Sequence, residues 1–385
     1  MAAAAESVLG SRLTDGLAVS NAPGPPLARV RLLLSGHPLP DARGVQAAAA
    51  VEALVSGLTA DDLVLVLLSG GASALLPAPV DGLTLADKSA VTSQLMRAGA
   101  DISELNTVRK HLSRLKGGGL ARAASPARVV ALVLSDVVGD DLSTIASGPT
   151  VPDPTTFADA LRIFAGRGLR ASIPEAALRH LEAGARGEVA ETPKPGHRLF
   201  RRVRTRIVGS NRLSVEAAAG EARRQGLRPV VLTTRLEGEA REVARALVSI
   251  LRECVDSAQP AAPPVCLLAG GETTVTVRGQ GRGGRNQEMA VAAARPLSAF
   301  PVEAVVATLA TDGIDGASEA AGGIADRTSL ARAALLGLAP PEAFLAASDS
   351  NGFLAPLGDL IVTGPTGTNV VDLAVLLAGK RTKVL

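Results

Sequence analysis

Aliphatic runs of strand length recur along the chain, each ending in a turn rich in glycine, serine or aspartate and usually followed by a helical stretch. "LVLVLLSGGASALL" (63–76) and "VVALVLSDVVGDD" (129–141) have this form, and so do "RIVGSNRLSVEAAAGEARRQG" (206–226) and "PVVLTTRLEGEAREVARALVSILREC" (229–254). "PVCLLAGGETTV", "AVVATLATDGIDG" and "DLIVTGPTGTNVVDLAVLLAG" follow further on. Near-continuous Val/Leu strands alternating with amphipathic helices predict an α/β fold of mostly parallel sheets covered by helices. At 385 residues the chain is long enough for two domains. The Pro/Ala-rich "DSAQPAAPP" (256–264) is the expected linker, giving a Rossmann-like domain at 1–258 and a second α/β domain at 259–385. The chain opens on a helical "MAAAAESVLGSRL", and the strand-like "GLAVS" and "RVRLLLSG" come only afterwards, whereas an open parallel domain usually begins with a strand.

Composition narrows the classes. Hydrophobic residues make up 47% of the chain and aromatics 2%, with no Trp or Tyr, so the cores are aliphatic. Without aromatic platforms, and with 40 basic residues against 37 acidic ones, a nucleic-acid partner is not expected. Apolar runs fall far short of the ~20 residues of a membrane span, and the N-terminus lacks the charge and cleavage pattern of a secretion signal. Cys254 and Cys266 form neither a CxxC pair nor a disulfide framework, so a reducing cytoplasm is expected.

In parallel α/β sheets ligands collect at the carboxyl ends of strands. Ser69, Gly70 and Gly71 occupy such a turn, where bare amides suit an oxyanion and where the alternative is a tight turn capped by Ser73. "ELNTVRKHLSRLKGGGLARAA" (104–124) places Arg109 and Lys116 seven residues apart, on one face if the helix runs that far, ready to clamp a carboxylate or phosphate. Asp136, Asp312 and Asp315 follow strands and could hold Mg²⁺ or take a hydroxyl proton, or simply bond their own turns. "GQGRGG" (279–284) matches the GxGxxG dinucleotide pattern, but Arg278, Arg282 and Arg285 crowd it. Several arginines among glycines suit a transferring polyphosphate better; a structural hairpin is the alternative.

"SGGASALLPAP", "LNTVRKHLSRLKGGGLA", "LSDVVGDDLSTIASGPTVPDPTTF", "GSNR", "LAGGETTVTVRGQGRGGRNQE", "ATDGIDG" and "VTGPTGTNV" resemble the glycerate 2-kinase family, whose C-terminal part is the MOFRL domain. The resemblance implies ATP-dependent phosphorylation of D-glycerate to 2-phosphoglycerate with Mg²⁺ or another divalent cation. It implies two α/β domains with the active site in the cleft between them. It places the phosphate oxygens of ATP at Gly281, Arg282, Gly283 and Gly284, with Asn211 and Glu272 as further nucleotide contacts and Arg285 on the transferring group. Arg109 and Lys116, with Ser69, Gly70, Gly71 and Asp136, would hold the substrate; Lys116 and Asp312 join Arg285 as catalytic groups, and Asp312 and Asp315 serve the metal. D-glycerate and ATP are the expected partners, and homodimerisation is left open. Family members carry an upstream strand and a "GKA" lysine that Met1 here follows, so either the true start lies upstream or a strand and a cation are absent. The alternatives are a nucleotide- or sugar-acid-binding homologue without turnover and a hydroxypyruvate reductase, for which no N-terminal dinucleotide fingerprint is found.

Overall fold

The computed structural model describes residues 1–379 and divides into two compact units. Met1–Val133 with Asp141–Val208 forms the first; Leu134–Asp140 with the described chain from Gly209 forms the second.

In the first unit, "GLAVS" and "RVRLLLSG" supply a parallel pair, β1 (Gly16–Ser20) and β2 (Val30–Leu34). The strands β3 (Leu63–Leu68), β4 (Arg128–Leu134) and β5 (Val203–Gly209) form a three-stranded sheet in that order. β3 and β4 run parallel, with Leu63 opposite Arg128 and Leu68 opposite Val133. A helical layer packs its own core from Leu95, Leu112, Phe157, Phe164 and Leu181. Its helices start where the sequence supplies reciprocal caps: Thr84 with Asp87, Asp101 with Glu104, and Thr156 with Asp159. Each cap satisfies amides that the first helical turn leaves open, worth about 1 kcal/mol apiece. Phe157 lies flat against the helix Glu175–Ala185 because Gly184 there has no Cβ to meet the ring.

The second unit contains β6 (Arg228–Leu236), β7 (Val265–Gly271), β8 (Ala304–Ala310), β9 (Gly322–Asp326), β10 (Leu360–Ile361) and β11 (Asp372–Ala378). They form one sheet in the order β10-β9-β8-β11-β7-β6. β7 is buried along its whole length. Val265, Leu267 and Ala269 face the core shared with the helices Ala240–Ser257 and Arg285–Leu297, while Cys266 and Leu268 face the helix Asn211–Arg224. Alternate residues thus enter opposite cores, which is why the strand reads as unbroken apolar sequence.

The α/β class holds, with two corrections. The expectation of mostly parallel pairing fits β1–β2 and β3–β4, but in the second unit only β6–β7 is parallel and the other pairings are antiparallel. The last strand, β11, inserts antiparallel between β7 and β8, and helices covering both faces give the same apolar signature for either direction. The division of the chain also differs from the expected 258/259 boundary. Residues 258–264 merely join the helix Ala240–Ser257 to β7, and β6 hydrogen-bonds to β7, so the described chain from Gly209 belongs with the second sheet. Among the described residues no helix is long and apolar enough to cross a membrane.

Two glycines test this packing in opposite directions. Gly220, inside the helix Asn211–Arg224, has open space where a Cβ would stand, whereas a Cβ at Gly279 would collide with the Ala347 backbone. Gly220→Ala is expected to raise unfolding stability by about 0.5–1 kcal/mol and Gly279→Ala to lower it by about 1–3 kcal/mol, read by urea titration.

Candidate active site

In the second unit the chemistry gathers around Arg285, the first residue of the helix Arg285–Leu297. Its Nε and Nη2 donate to the two oxygens of Asp372, the Nη2 bond at 3.0 Å, and Nη1 pairs with Glu272 Oε1 at 2.9 Å. Sheet register produces this arrangement: Asp372 opens β11 directly opposite Gly271, and Glu272 is the next residue after β7. Desolvation pushes the Asp372 carboxyl above its ordinary range, Arg285 pulls it back, and Asp312 adds repulsion. Glu272 is raised for the same first reason, with Asp372 and Asp136 as further repelling charges. Asp136 lies in the segment Leu134–Asp140 of the second unit, and its charge is felt at Glu272.

The glycine loop proves to be packed against its own unit. Gly281 N donates to Ala347 O (3.2 Å) and Arg282 N to Asp349 Oδ1 (3.0 Å), while Arg282 O accepts from Asn351 N (2.9 Å). Cβ atoms at Gly281 and Gly284 would collide with Asp349 and Asp315. These glycines permit close backbone approach within the fold, so the bare amides expected to cradle phosphate are in part already committed. Arg282 itself is exposed, and Gly283 and Gly284 are half-buried.

Asp315 is a helix cap. Its Oδ1 accepts from Asn286 N (3.1 Å) and Nδ2 (3.3 Å), and its Oδ2 from Gln287 N (2.8 Å) and Nε2 (3.2 Å). The carboxylate sits where the helix N-terminus would otherwise receive an anion. Asp312 uses Oδ1 to accept from Ile314 N at 3.0 Å. The expected Asp312–Asp315 metal pair does not fit a divalent cation, since Asp315 is saturated by N–H donors. Among the described residues no group of three His, Cys, Asp or Glu side chains is placed to hold a metal. The rest of "GGRNQE" is structural: Asn286 and Gln287 fasten Asp315, and Glu288 pairs with Arg241 at 2.8 Å. Asn211 Nδ2 donates to Val370 O (3.1 Å) and Asp372 O (2.8 Å), fixing the entry to β11; its Oδ1 is buried with no hydrogen-bond partner.

In the first unit Ser69, Gly70 and Gly71 turn out of β3, with Gly71 in the left-handed region at φ 80°. A Cβ there would press on the His37 ring. The basic helix ends at His111, so Arg109 and Lys116 do not share its face as expected. The chain turns instead through Ser113, which bridges to Pro79, and Lys116 returns from a loop that precedes the helix Gly119–Ala123. Lys116 is 3% exposed, and its Nζ donates to Ser73 O (3.0 Å) and Ser73 Oγ (2.9 Å). Desolvation lowers its pKa to about 7, with the nearby Arg109 charge adding to the fall. Arg109 is lowered by burial, and Lys88 lies well below its usual value through burial and the charges of Lys116, Arg109 and Arg114. Arg114 is occupied by Glu52 at 2.8 and 2.9 Å and holds the fold.

Asp372, Lys88 and Ser73's bond to Lys116 were missed by the sequence reading. Asp372 had one available signal, a carboxylate set against the aliphatic run "LAVLLA", which marks a strand end.

This architecture is that of an α/β protein with a MOFRL module. Residues 1–182 match the family described as "Domain of unknown function (DUF4147)" and residues 265–372 match the MOFRL family. The glycerate 2-kinase of Pyrococcus horikoshii is 42% identical over 383 residues, covering 99% of this chain and 85% of that protein. The D-glycerate 2-kinase of Thermotoga maritima is 41% identical over 379 residues, covering 97% and 87%. A protein of Agrobacterium vitis named putative hydroxypyruvate reductase is 46% identical over 357 residues, covering 92% and 78%. The crystal structure of the T. maritima glycerate kinase matches with a TM-score of 0.91 at 39% identity, covering 98% of this chain and 88% of that one. The chain belongs to the glycerate 2-kinase family.

The Lys116 environment predicts a pH signature. An unfolded lysine titrates near 10.4, and the folded one near 7. Between those values the unfolded chain holds the extra proton, so the folded state gains stability as pH rises through that window. Below pH 7 both states are protonated and the whole desolvation cost is borne. Lys116→Gln is therefore expected to out-stabilise the parent most at pH 6–7 and to lose that advantage toward pH 10. Urea midpoints at pH 6, 7, 8 and 9 check this; a constant difference would contradict it.

Proposed function

We propose that the chain transfers the terminal phosphoryl group of ATP to the 2-hydroxyl of D-glycerate, giving 2-phosphoglycerate and ADP. The observation that carries this reading is the 41 and 42% identity to glycerate 2-kinases over 97 and 99% of the chain, which spans both units.

Phosphoryl transfer asks for fixed positive charge on the moving group's oxygens and an acceptor for the hydroxyl proton. Arg285 supplies the first. Asp372 and Glu272 engage three of its five N–H groups. They hold the fork rigid and leave two donors for phosphoryl oxygens. Asp312 is the proposed proton acceptor. Arg109 and Lys116, beside the Ser69–Gly71 turn, hold the substrate's carboxylate. Arg282, Gly283 and Gly284 are the proposed phosphate contacts that remain on the glycine loop, with Asn211 Oδ1 and Glu272 as acceptors for the nucleotide. A divalent cation would arrive with the nucleotide, since Mg²⁺ needs only one or two protein carboxylates when phosphates complete its shell. Asp312 is the carboxylate left for it. Both cysteines are free and buried, in keeping with a cytoplasmic protein.

The reductase name of the A. vitis relative gives a second reading. Against it, the GxGxxG loop is packed by its glycines against 347–349, and Asp315 already occupies the helix N-terminus that a pyrophosphate would need.

ADP release from MgATP and D-glycerate, with phosphorus NMR locating the product phosphate, is expected to give 2-phosphoglycerate. A folded, ATP-binding chain without turnover would overturn the reading, and NADH oxidation by hydroxypyruvate would favour the reductase. Arg285→Lys keeps the charge but loses the fork, and kcat is expected to fall by about 10²–10³ with the melting temperature little changed. Near-normal kcat would remove Arg285 from the reaction.

A further inference from the structure

Asn106 lies in the helix Ile102–His111 and is 2% exposed. A buried amide is costly unless both its ends find partners. Its Oδ1 accepts from Arg109 Nη2 and from Ser147 Oγ, the latter at 2.9 Å. The orientation cannot be reversed, because a guanidinium only donates and must face the carbonyl end. The Nδ2 group is thereby turned away, and it is buried with no partner. Arg109 Nε is also buried without a partner, and Arg109 forms no ion pair with an acid of the first unit. The two orphaned donors flank one hydrogen bond, on side chains three residues apart on one helix.

The surroundings hold this geometry in place. Ala146, Ser147 and Gly148 are successive left-handed residues at φ 53°, 61° and 64°, a conformation that costs non-glycine residues about 1–2 kcal/mol each. The turn is fastened by Gly117 N on Ser147 O (2.9 Å) and Gly118 N on Gly148 O (2.8 Å). It puts Ser147 Oγ 2.9 Å from Asn106 and 3.1 Å from Ser73 Oγ, and Ser73 in turn accepts from Lys116. Since Ser147 donates to Asn106, Ser73 must donate to Ser147 and Lys116 to Ser73. Each hydroxyl in the chain from Lys116 to Asn106 is directed, and the buried donor atoms left with no partner beside it are Asn106 Nδ2 and Arg109 Nε. No carboxylate of the first unit pairs with Arg109, Lys116 or Lys88.

We infer that Asn106 Nδ2 and Arg109 Nε form a built oxyanion site in the first unit, and that Asn106 is a substrate-contacting residue whose direction is set by Ser147. Resting on the kinase reading, the oxyanion is the carboxylate of the hydroxy-acid acceptor. One amide and one guanidinium donor match its two oxygens, and an acceptor lacking that carboxylate would leave both unpaired.

The test uses the full chain, with D-glycerate and inorganic phosphate as calorimetric probes without ATP, followed by steady-state kinetics. Asn106→Asp preserves the bonds from Arg109 and Ser147 but replaces the orphaned donor by an acceptor. It is expected to keep the melting temperature and lose at least about 100-fold in D-glycerate affinity, with KM for ATP unchanged. Asn106→Ala, which adds no charge, is expected to lose about 10- to 100-fold. Ser147→Ala, as a positioning variant, is expected to raise KM for D-glycerate about 10-fold and leave kcat within twofold. Unchanged D-glycerate affinity in folded Asn106→Asp would overturn the site, and so would a rise confined to KM for ATP. If the parent chain does not turn over D-glycerate yet binds inorganic phosphate in an Asn106-dependent manner, the oxyanion site stands and the kinase reading falls.

Discussion

The carboxylate of Asp315 on the first turn of the helix Arg285–Leu297 is the contact on which the second unit's chemistry depends. Two backbone and two side-chain N–H groups converge on it. A helix end buried without such a partner would leave several donors unpaired, at about 1–3 kcal/mol each. By closing that end internally, Asp315 fixes where the helix begins and therefore where Arg285 stands. It also explains the loop before the helix: Gly284 has no Cβ because Asp315 occupies the space, and Gly283 O accepts from Ala317 N at 3.2 Å in the same turn. Burial raises the Asp315 carboxyl above its usual range even against these bonds, so the cap is maintained at a cost.

Arg285 is held from the other side by strand register. Because Asp372 pairs with Gly271, the last strand and the turn after β7 must deliver their carboxylates together. A one-residue slip would turn Asp372 to the opposite face. The stiffness of the guanidinium is thus a property of the whole sheet, and in a reaction stabilised by preorganised charge that stiffness is what matters.

What the sequence made legible follows the reach of each signal. Strands announce themselves by local apolar runs: β3, β7, β8 and β11 fall within the predicted segments, and β4, β5 and β6 start one to three residues ahead of theirs. Strand direction carries no local signal when helices cover both faces, which is why the antiparallel insertion of β11 could not be read. The chain's division was equally hidden, since the linker-like 256–264 is defined by composition and β6–β7 pairing by distant register. Among the site residues, Arg285 stood out because a cation among glycines is unusual, but its partner Asp372 lies 87 positions away. Arg109 and Lys116 were singled out correctly as neighbours for an incorrect reason: the helix stops at His111, and the Lys116 loop restores the proximity. Asp315 and the glycines looked like ligand-binding groups because capping and close packing select the same residue types as anion binding.

The two units manage charge in opposite ways. Arg285 itself meets two carboxylates of the same unit, Asp372 and Glu272. Around Lys116 the first unit collects Lys88, Arg109 and Lys116 in buried or half-buried positions with no acid of that unit paired to them. Charges desolvated without partners destabilise a fold, and here the cost shows as three depressed cationic groups. An oxyanion that supplies the missing charge relieves that cost while it binds, so its affinity includes strain already stored in the empty protein. By linkage such a ligand stabilises the folded state in proportion to RT ln(1 + [L]/Kd). If the proposed oxyanion binds there, the positions that make the first unit less stable alone are also the ones that select a small anion, and a neutral analogue of equal shape would gain none of that relief.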